Sequence, residues 1–463
     1  MLFSSFLFLF WFLPLTLALY FAPALFRVQG KKLLAWQNAV LLVTSLFFYA
    51  FGEPVYVLLL FGMAMLNALL AWQIPRARHP RIPLALAVVL DLSLLALFKY
   101  PPLLGLPAPH LPLGISFYTF QAISYVADVY KKRAKPAKSP LTVCLYVALF
   151  PQLIAGPIVR YTDVNTALAT RTSSVEGVAT GLSRFAVGLA KKVVLANAAG
   201  EIFRTFVANG THSAITALLG ILGFTFQIYF DFSGYTDMAI GLGRIFGFDF
   251  PENFNYPYIA RSITDFWRRW HITLSSFFRE YVYIPLGGNR RGVARTILNL
   301  FIVWALTGLW HGASWNFVLW GLYYFLLLVL EKFVFSRTRS RTPRVSGIPL
   351  TFTLTLFGWM LFAFDGSTEA LTLSSLPHFL RALVGFGRDG LLARTQWHDA
   401  LRALPILALC ALGATPLPQR FYKRCAAKRY GSLLHVALPL FSLLLSVAAL
   451  ADAGYNPFLY FRF

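Results

Sequence analysis

Runs of about 17 to 25 apolar residues recur from one end of this chain to the other, each long enough to cross roughly 30 Å of hydrocarbon as a helix. No other feature constrains the fold as strongly. The runs predict an all-α integral membrane protein, a polytopic helical bundle of roughly 10–13 spans including re-entrant pieces. Composition agrees: 58% of the 463 residues are hydrophobic and only 13% are charged. A soluble chain of this length would divide into domains and expose far more charge.

Lys and Arg number 41 against 18 Asp and Glu. On a soluble domain that excess would suggest nucleic acid. Here the basic residues sit in short loops between apolar runs, the positive-inside pattern, and nucleic-acid binding is excluded as a reading. The first run, Leu2 to Phe26, has no basic residue before it and Arg27, Lys31 and Lys32 after it. A signal peptide has the reverse order, so this is an uncleaved first span with its N-terminus outside. Further basic clusters at Arg76 to Arg81, Lys131 to Lys138, Lys332 to Arg344 and Arg420 to Lys428 are cytoplasmic on the same rule. The loops around Glu53 and Pro101 to Pro112 carry little positive charge, so five spans precede Lys131. The mixed stretch Asp365 to Asp399 falls outside, as does the C-terminus beyond the span that ends near Leu450.

The chain reads as one membrane-embedded domain over 1–463: N-terminal spans in 1–139, a catalytic core in 140–330 and C-terminal spans in 331–463. In the core, apolar pieces near Leu141 to Ile154, Gly177 to Leu195, Ala214 to Phe230 and Thr296 to Leu330 are interrupted by polar, Gly-rich or Pro-rich stretches. With both flanks cytoplasmic the crossings between them are even in number. Some pieces are re-entrant, which requires protein or a water-filled cavity over the broken backbone. Cys144, Cys410 and Cys425 are scattered and indicate neither a disulfide framework nor a metal site.

Three segments carry the chemistry. The first is Arg261-Ser-Ile-Thr-Asp-Phe-Trp-Arg-Arg-Trp-His271, which continues through Phe278-Arg-Glu-Tyr281. If it is helical, Asp265 and Arg269 are i,i+4 neighbours, and Arg268, His271 and Ser275 share another face. It reads either as an interfacial helix with Trp267 and Trp270 at headgroup level and Arg snorkelling, or as a basic groove in which Arg268 and Arg269 hold a donor's phosphates. The second segment is Asn299 to Trp320. Its polar residues Asn299, Thr307, His311 and Ser314 fall within an arc of roughly 120° at about 100° per residue. Such a stripe must face the bundle interior. His311 is either a structural histidine or a general base, since imidazole titrates near neutral pH, and Gly308 and Gly312 leave room beside it. The third segment, Gln227 to Asp237, holds Asp231 and Asp237 in apolar surroundings. Intramembrane acids are functional candidates by default, but pairing with Arg244 or another basic residue explains them as well, and Asp91 and Asp128 share the ambiguity. Gly241 to Gly247 has the wrong spacing for a dinucleotide loop. His79, His110, His212, His378, His398 and His435 are unaccompanied and receive no role.

At these segments the sequence closely resembles the membrane-bound O-acyltransferase family, in particular its bacterial alginate O-acetyltransferase branch. The matching pieces are Pro112-Leu-Gly-Ile-Ser-Phe-Tyr-Thr-Phe-Gln121, Gly156-Pro-Ile-Val-Arg160, Asp231-Phe-Ser-Gly-Tyr-Thr-Asp237, Asp265-Phe-Trp-Arg-Arg-Trp-His271, Tyr283-Ile-Pro-Leu-Gly-Gly288, Gly308-Leu-Trp-His-Gly312 and Tyr455-Asn-Pro-Phe458. They occur in family order over nearly the whole chain. The resemblance implies a catalytic histidine at His311, a second recurring histidine at His271, and funnels on both faces of the bundle. It implies attack of a hydroxyl on an acetyl thioester, with Asp265, Asn299, Thr307 and Ser314 along the substrate channel. No bound cofactor or metal is implied; acetyl-coenzyme A or another acyl thioester is the donor substrate. Implied partners are membrane lipid, a periplasmic acetyltransferase and a polysaccharide export complex at the bacterial inner membrane. Alginate is the first acceptor, with peptidoglycan, cellulose and a teichoic-acid alanylation carrier as alternatives. The family often has Arg-Asp-Tyr where this chain has Arg279-Glu-Tyr281, and His-Gly where it has Tyr323-Tyr324; the second departure is expected to lie outside the site. A transporter or an export-complex scaffold would account for the spans, but not for a Trp-His-Gly motif paired with a basic aromatic segment.

Overall fold

The computed structural model of the protein describes residues 1–101, 105–107, 109–208, 213–335, 347–428, 431–452 and 459. His212, the basic stretch from residue 336 to Arg344, parts of the Pro101 to Pro112 loop and the Tyr455-Asn-Pro-Phe458 motif lie outside the described residues. Among those described there are helices and no strand.

Among the described residues eight helices are long and apolar enough to cross a membrane. A ninth span forms if Trp397–Gly413 and Leu417–Ala426, bent by 65°, count as one. Gly347–Ala363 and Leu376–Phe386 are apolar but shorter. The roughly 10–13 pieces expected from sequence included re-entrant ones, and the structure shows which are short. The chain forms two compact units, Met1–Leu189 with Tyr235–Glu252, and Ala190–Gly234 with Asn253–Phe463. Residues 140–330, expected as one core, are thus shared between the two.

The first unit begins with four spans: α1 (Phe8–Leu25), α2 (Gly30–Gly52), α3 (Tyr56–Gln73) and α4 (Arg81–Lys99). The expected fifth crossing, α5 (Ile115–Tyr130), has 16 residues, all buried from Ile115 to Val129. At about 24 Å it is the shortest of the five and lies buried in the core of its unit. Buried polar groups here are matched across helices. Asn67 Nδ2 donates to Asp91 Oδ1 at 2.9 Å, and Lys99 Nζ donates to Ser116 Oγ at 3.1 Å. His110, expected to be unaccompanied, sits 2.9 Å from the Glu53 carboxylate, because the loop before α5 folds back over the start of α3. After α6 (Pro140–Ala148) and α7 (Tyr161–Thr170), α8 (Val175–Ala190) meets the end of α9 (Ala214–Ile245) backbone to backbone. A Cβ on Gly181 would stand 2.6 Å from the Gly241 carbonyl oxygen, and one on Gly241 equally close to that of Gly181. Small residues permit that approach, which gives the glycines near 241 a packing role. Beside this contact Arg184 donates to Asp237 at 2.8 Å and also reaches Glu252. Asp237 thus pairs with Arg184, a basic residue other than Arg244, as the sequence left open.

In the second unit, α12 (Val293–His311) and α13 (Trp315–Leu330) follow the short helices α10 (Ile263–Arg269) and α11 (Ile272–Phe278), and α14 (Gly347–Ala363) packs on α13. Glycines again set the distance. A Cβ on Gly308 would come 2.5 Å from the Phe317 carbonyl oxygen, and one on Gly321 equally close to that of Trp304. A Cβ on Gly312 would strike the Phe317 ring at 2.5 Å. The space beside Gly308 and Gly312, expected to admit substrate, is filled by α13. Asn316 Nδ2 donates to the carbonyl oxygens of Leu361 and Phe362, fixing α13 against the end of α14.

Candidate active site

Helix α10 starts where Ser262 accepts a bond from the Asp265 N–H at 3.1 Å. The Glu331 carboxylate takes the N–H groups of Ile263 and Thr264 at 2.7 and 3.2 Å. These acceptors satisfy donors that a helix start leaves open. The helix ends after Arg269, and the chain turns sharply at His271, whose φ of 44° and ψ of 56° are left-handed. The expected single helix through Ser275 is therefore broken, and Arg268, His271 and Ser275 do not form one helical face. A left-handed non-glycine residue costs about 1–2 kcal/mol, so the surroundings must hold it.

They do so mainly through Asn253. Its backbone carbonyl accepts the Ile272 N–H at 3.0 Å. Its side-chain Oδ1 accepts the Thr273 N–H at 3.2 Å and the Thr273 hydroxyl at 2.9 Å, and lies 3.0 Å from His271 Nδ1. Asn255 N–H donates to the Arg269 carbonyl at 2.9 Å, so a strand-like strap runs along the turn. Burial pushes the His271 imidazole down to about 3, which keeps it neutral.

His311 is the last residue of α12 and is buried. Both histidines contact one ring: Trp310 lies 6.1 Å from His271 and 4.9 Å from His311, centre to centre. On its other sides His311 meets Trp320 at 4.9 Å and Phe362 at 5.1 Å. Trp320 is 5.6 Å from Trp267, which meets Trp304 at 4.6 Å and Tyr324 at 4.8 Å. The result is a buried aromatic chamber around two imidazoles. Trp267 and Trp270 are 9% and 3% exposed, so they belong to this core and do not sit at the headgroups as an interfacial helix would place them. Tyr324 is fully buried within the same cluster. The Tyr323-Tyr324 departure thus touches the chamber that it was expected to avoid.

The other candidates are placed as follows. Arg269 donates to Asp265 at 2.8 Å, the i,i+4 pair expected from sequence, so both charges are committed. Arg268 is exposed. Asn299 donates to the carbonyl oxygens of Gly288 at 2.9 Å and Leu286 at 3.4 Å, anchoring the glycine turn before α12. It stands about 18 Å along the helix from His311. Thr307 donates to the Val303 carbonyl at 2.7 Å. Ser314 occupies the N-cap of α13 without a capping bond. Asp231 lies 2.8 Å from Lys192 Nζ and accepts the Leu459 N–H at 2.8 Å. Sequence reading missed Asn253, Trp304, Trp320 and Glu331. For the tryptophans a signal existed, since Trp304 and Trp320 lie on the helices that flank His311. For Asn253 there was none, because its meaning comes from a turn that begins 16 residues later.

The chain is similar in sequence to known proteins. The model of the membrane-bound O-acyltransferase family, MBOAT, matches residues 136–366, which include both histidines and the aromatic chamber. The chain is similar to the probable alginate O-acetylase AlgI of Pseudomonas syringae pv. tomato, with 40% identity covering 78% of this chain and 72% of that protein. It is 36% identical to the peptidoglycan O-acetyltransferase of Helicobacter pylori, covering 83% and 80% of the two chains. With the teichoic acid D-alanyltransferase of Bacillus subtilis it shares 31% identity over 60% and 76%. Multi-pass in the membrane, with paired histidines buried among tryptophans, this chain is an O-acyltransferase and belongs to the membrane-bound O-acyltransferase family.

Proposed function

We propose that the protein moves acetyl groups from a cytoplasmic thioester, acetyl-coenzyme A, across the bacterial inner membrane for O-acetylation of an exported polysaccharide, alginate first among the acceptors. The observation that carries this reading is the pair of imidazoles flanking Trp310. In the transfer, His311 removes the proton of the attacking hydroxyl. The oxygen adds to the thioester carbonyl, the carbon–sulfur bond breaks, and the thiol leaves with the proton that His311 returns. General-base assistance of this kind contributes roughly 10²- to 10⁴-fold. Alginate ranks ahead of peptidoglycan because a named alginate O-acetylase is 40% identical against 36% for the peptidoglycan enzyme. A periplasmic acetyltransferase that receives the group, and an export complex that presents the polymer, complete the reading. Uptake of radiolabel from acetyl-coenzyme A into acid-precipitable polymer tests it; label that stays in the donor pool sinks it.

Donor binding falls to Arg268, whose charge is exposed while that of Arg269 is paired with Asp265. Arg268→Gln is expected to raise the acetyl-coenzyme A concentration for half-maximal transfer roughly three- to tenfold, the scale of one partly exposed charge-assisted bond. An unchanged requirement removes Arg268 from the donor site.

The orientation follows from the basic loops and an even number of crossings between residues 140 and 330. Among the described residues three helices there are long and apolar enough to cross: Ala214–Ile245, Val293–His311 and Trp315–Val334. The fourth crossing is the helical path from Val175, which continues through a π stretch at Lys191–Ala196 to Arg204–Ala208. Reporter fusions after Lys138 and Lys428 are expected to read cytoplasm, and fusions near Ser375 and at the C-terminus to read the outside. A cytoplasmic C-terminus would overturn the scheme.

A further inference from the structure

Asn253 makes more of its side chain than a loop clamp needs. All three of its polar neighbours converge on Oδ1: the Thr273 N–H, the Thr273 hydroxyl and His271 Nδ1. Among the described residues its Nδ2 has no hydrogen-bond partner. The hydrogen-bond network fixes which end of this amide is oxygen. A backbone N–H is only a donor, so the atom facing Thr273 N is the oxygen. His271 Nδ1 faces that same oxygen and must therefore carry a hydrogen. In a neutral imidazole the other nitrogen, Nε2, then holds the lone pair.

The amide is also a poor choice for hydrogen bonding alone. Aspartate at this position would keep an acceptor for the same three donors and would remove the unsatisfied NH2, whose burial costs free energy. What aspartate would add is a negative charge against Nδ1–H, and that favours the doubly protonated ring. Hydrogen bonds favour Asp here; neutrality favours Asn.

We propose that Asn253 is a positioning residue that locks His271 as the neutral Nδ1–H tautomer, so that His271 presents Nε2 to the chamber as an uncharged acceptor for a substrate hydroxyl. This rests on the reading of the two-histidine chamber as the acyl-transfer site. It divides the labour between the imidazoles: His311 takes a proton, and His271 accepts a hydrogen bond without taking one. Phe232 of α9 meets His271 edge-on at 4.7 Å, and the neighbouring Asp231 is ion-paired with Lys192. On α12 Trp310 meets His271 at 6.1 Å and is itself 4.9 Å from the His311 ring. On α10, Arg269 is neutralised by Asp265 and Arg268 is exposed; on α11 the neighbour is Thr273.

The test uses the full-length protein in lipid nanodiscs. Nitrogen-15 spectra of the histidine rings, with the His271 signal identified by its loss in His271→Gln, should show a protonated Nδ1 and an unprotonated Nε2 from pH 5 to pH 8. An Nε2–H tautomer, or a doubly protonated ring in that range, overturns the proposal whether or not acyl transfer is detected. The second arm is the pH profile of acetyl transfer in Asn253→Asp against the unmodified protein. With a carboxylate beside Nδ1 the ring protonates near neutrality, and between pH 8 and pH 6 the variant should lose about tenfold relative to wild type. A lowered rate with an unmoved profile would make Asn253 merely structural and overturn the proposal. If that variant does not accumulate, the wild-type spectra still decide. Wild-type protein that shows the expected tautomer but transfers no acetyl group would fault the functional reading and leave the tautomer lock standing.

Discussion

His311→Gln is expected to lower acyl transfer at least roughly 10²-fold, the lower end of what a general base contributes, while the protein still accumulates in the membrane. Glutamine keeps approximate size and hydrogen-bonding capacity but has no group that titrates near neutral pH. The packing that sets the position should survive, because the α12–α13 approach is fixed by Gly308 and Gly321 and the neighbouring rings are Trp310, Trp320 and Phe362. Initial rates with labelled acetyl-coenzyme A, normalised to protein in the membrane fraction, measure the effect. His271→Gln should retain more activity, since on the proposed division of labour it disturbs an acceptor and leaves the base in place. Near wild-type transfer by His311→Gln would refute the base assignment, although family membership would stand.

The largest effect on stability is expected at Lys192. Its ammonium lies 2.8 Å from Asp231, with the two side chains 3% and 1% exposed, and it donates to Asn197 Oδ1 at 2.8 Å. Lys192→Met leaves the Asp231 carboxylate buried with the Leu459 N–H as its remaining described donor. Breaking a buried pair from one side costs about 3–5 kcal/mol, a large part of the 5–15 kcal/mol that holds an ordinary domain together. Folded yield should collapse, and the thermal transition in detergent should drop sharply. Removing the second charge as well, in Lys192→Met/Asp231→Leu, should restore much of the loss, since an apolar pair of similar volume is often neutral or better. If the single variant is as stable as wild type, Asp231 is not held by Lys192. The Leu459 bond brings the last described residue back to the middle of α9.

What the linear sequence determined about this protein is what local physics decides. A run of apolar residues longer than the bilayer is thick is a span wherever it goes, so α1 to α4 and the later spans were legible from length alone. The i,i+4 geometry of a helix was enough for Asp265 and Arg269, and the polar stripe of one helix singled out His311. The tertiary structure decided everything that depends on which distant segments meet. Asp237 takes Arg184, 53 residues away, instead of the nearby Arg244. Residues Trp267 and Trp270, equally suited by composition to a headgroup belt, are buried because the chain breaks at His271 and folds α10 into the core. Gly308 and Gly312 admit a helix where the sequence suggested a substrate. Asn253, with no local pattern of its own, gains its role only because the turn at His271 closes onto it. Hydrophobic length and helical period are properties of neighbours in the chain, whereas partner choice, tautomer and burial are set by closure of long loops, which no local pattern encodes.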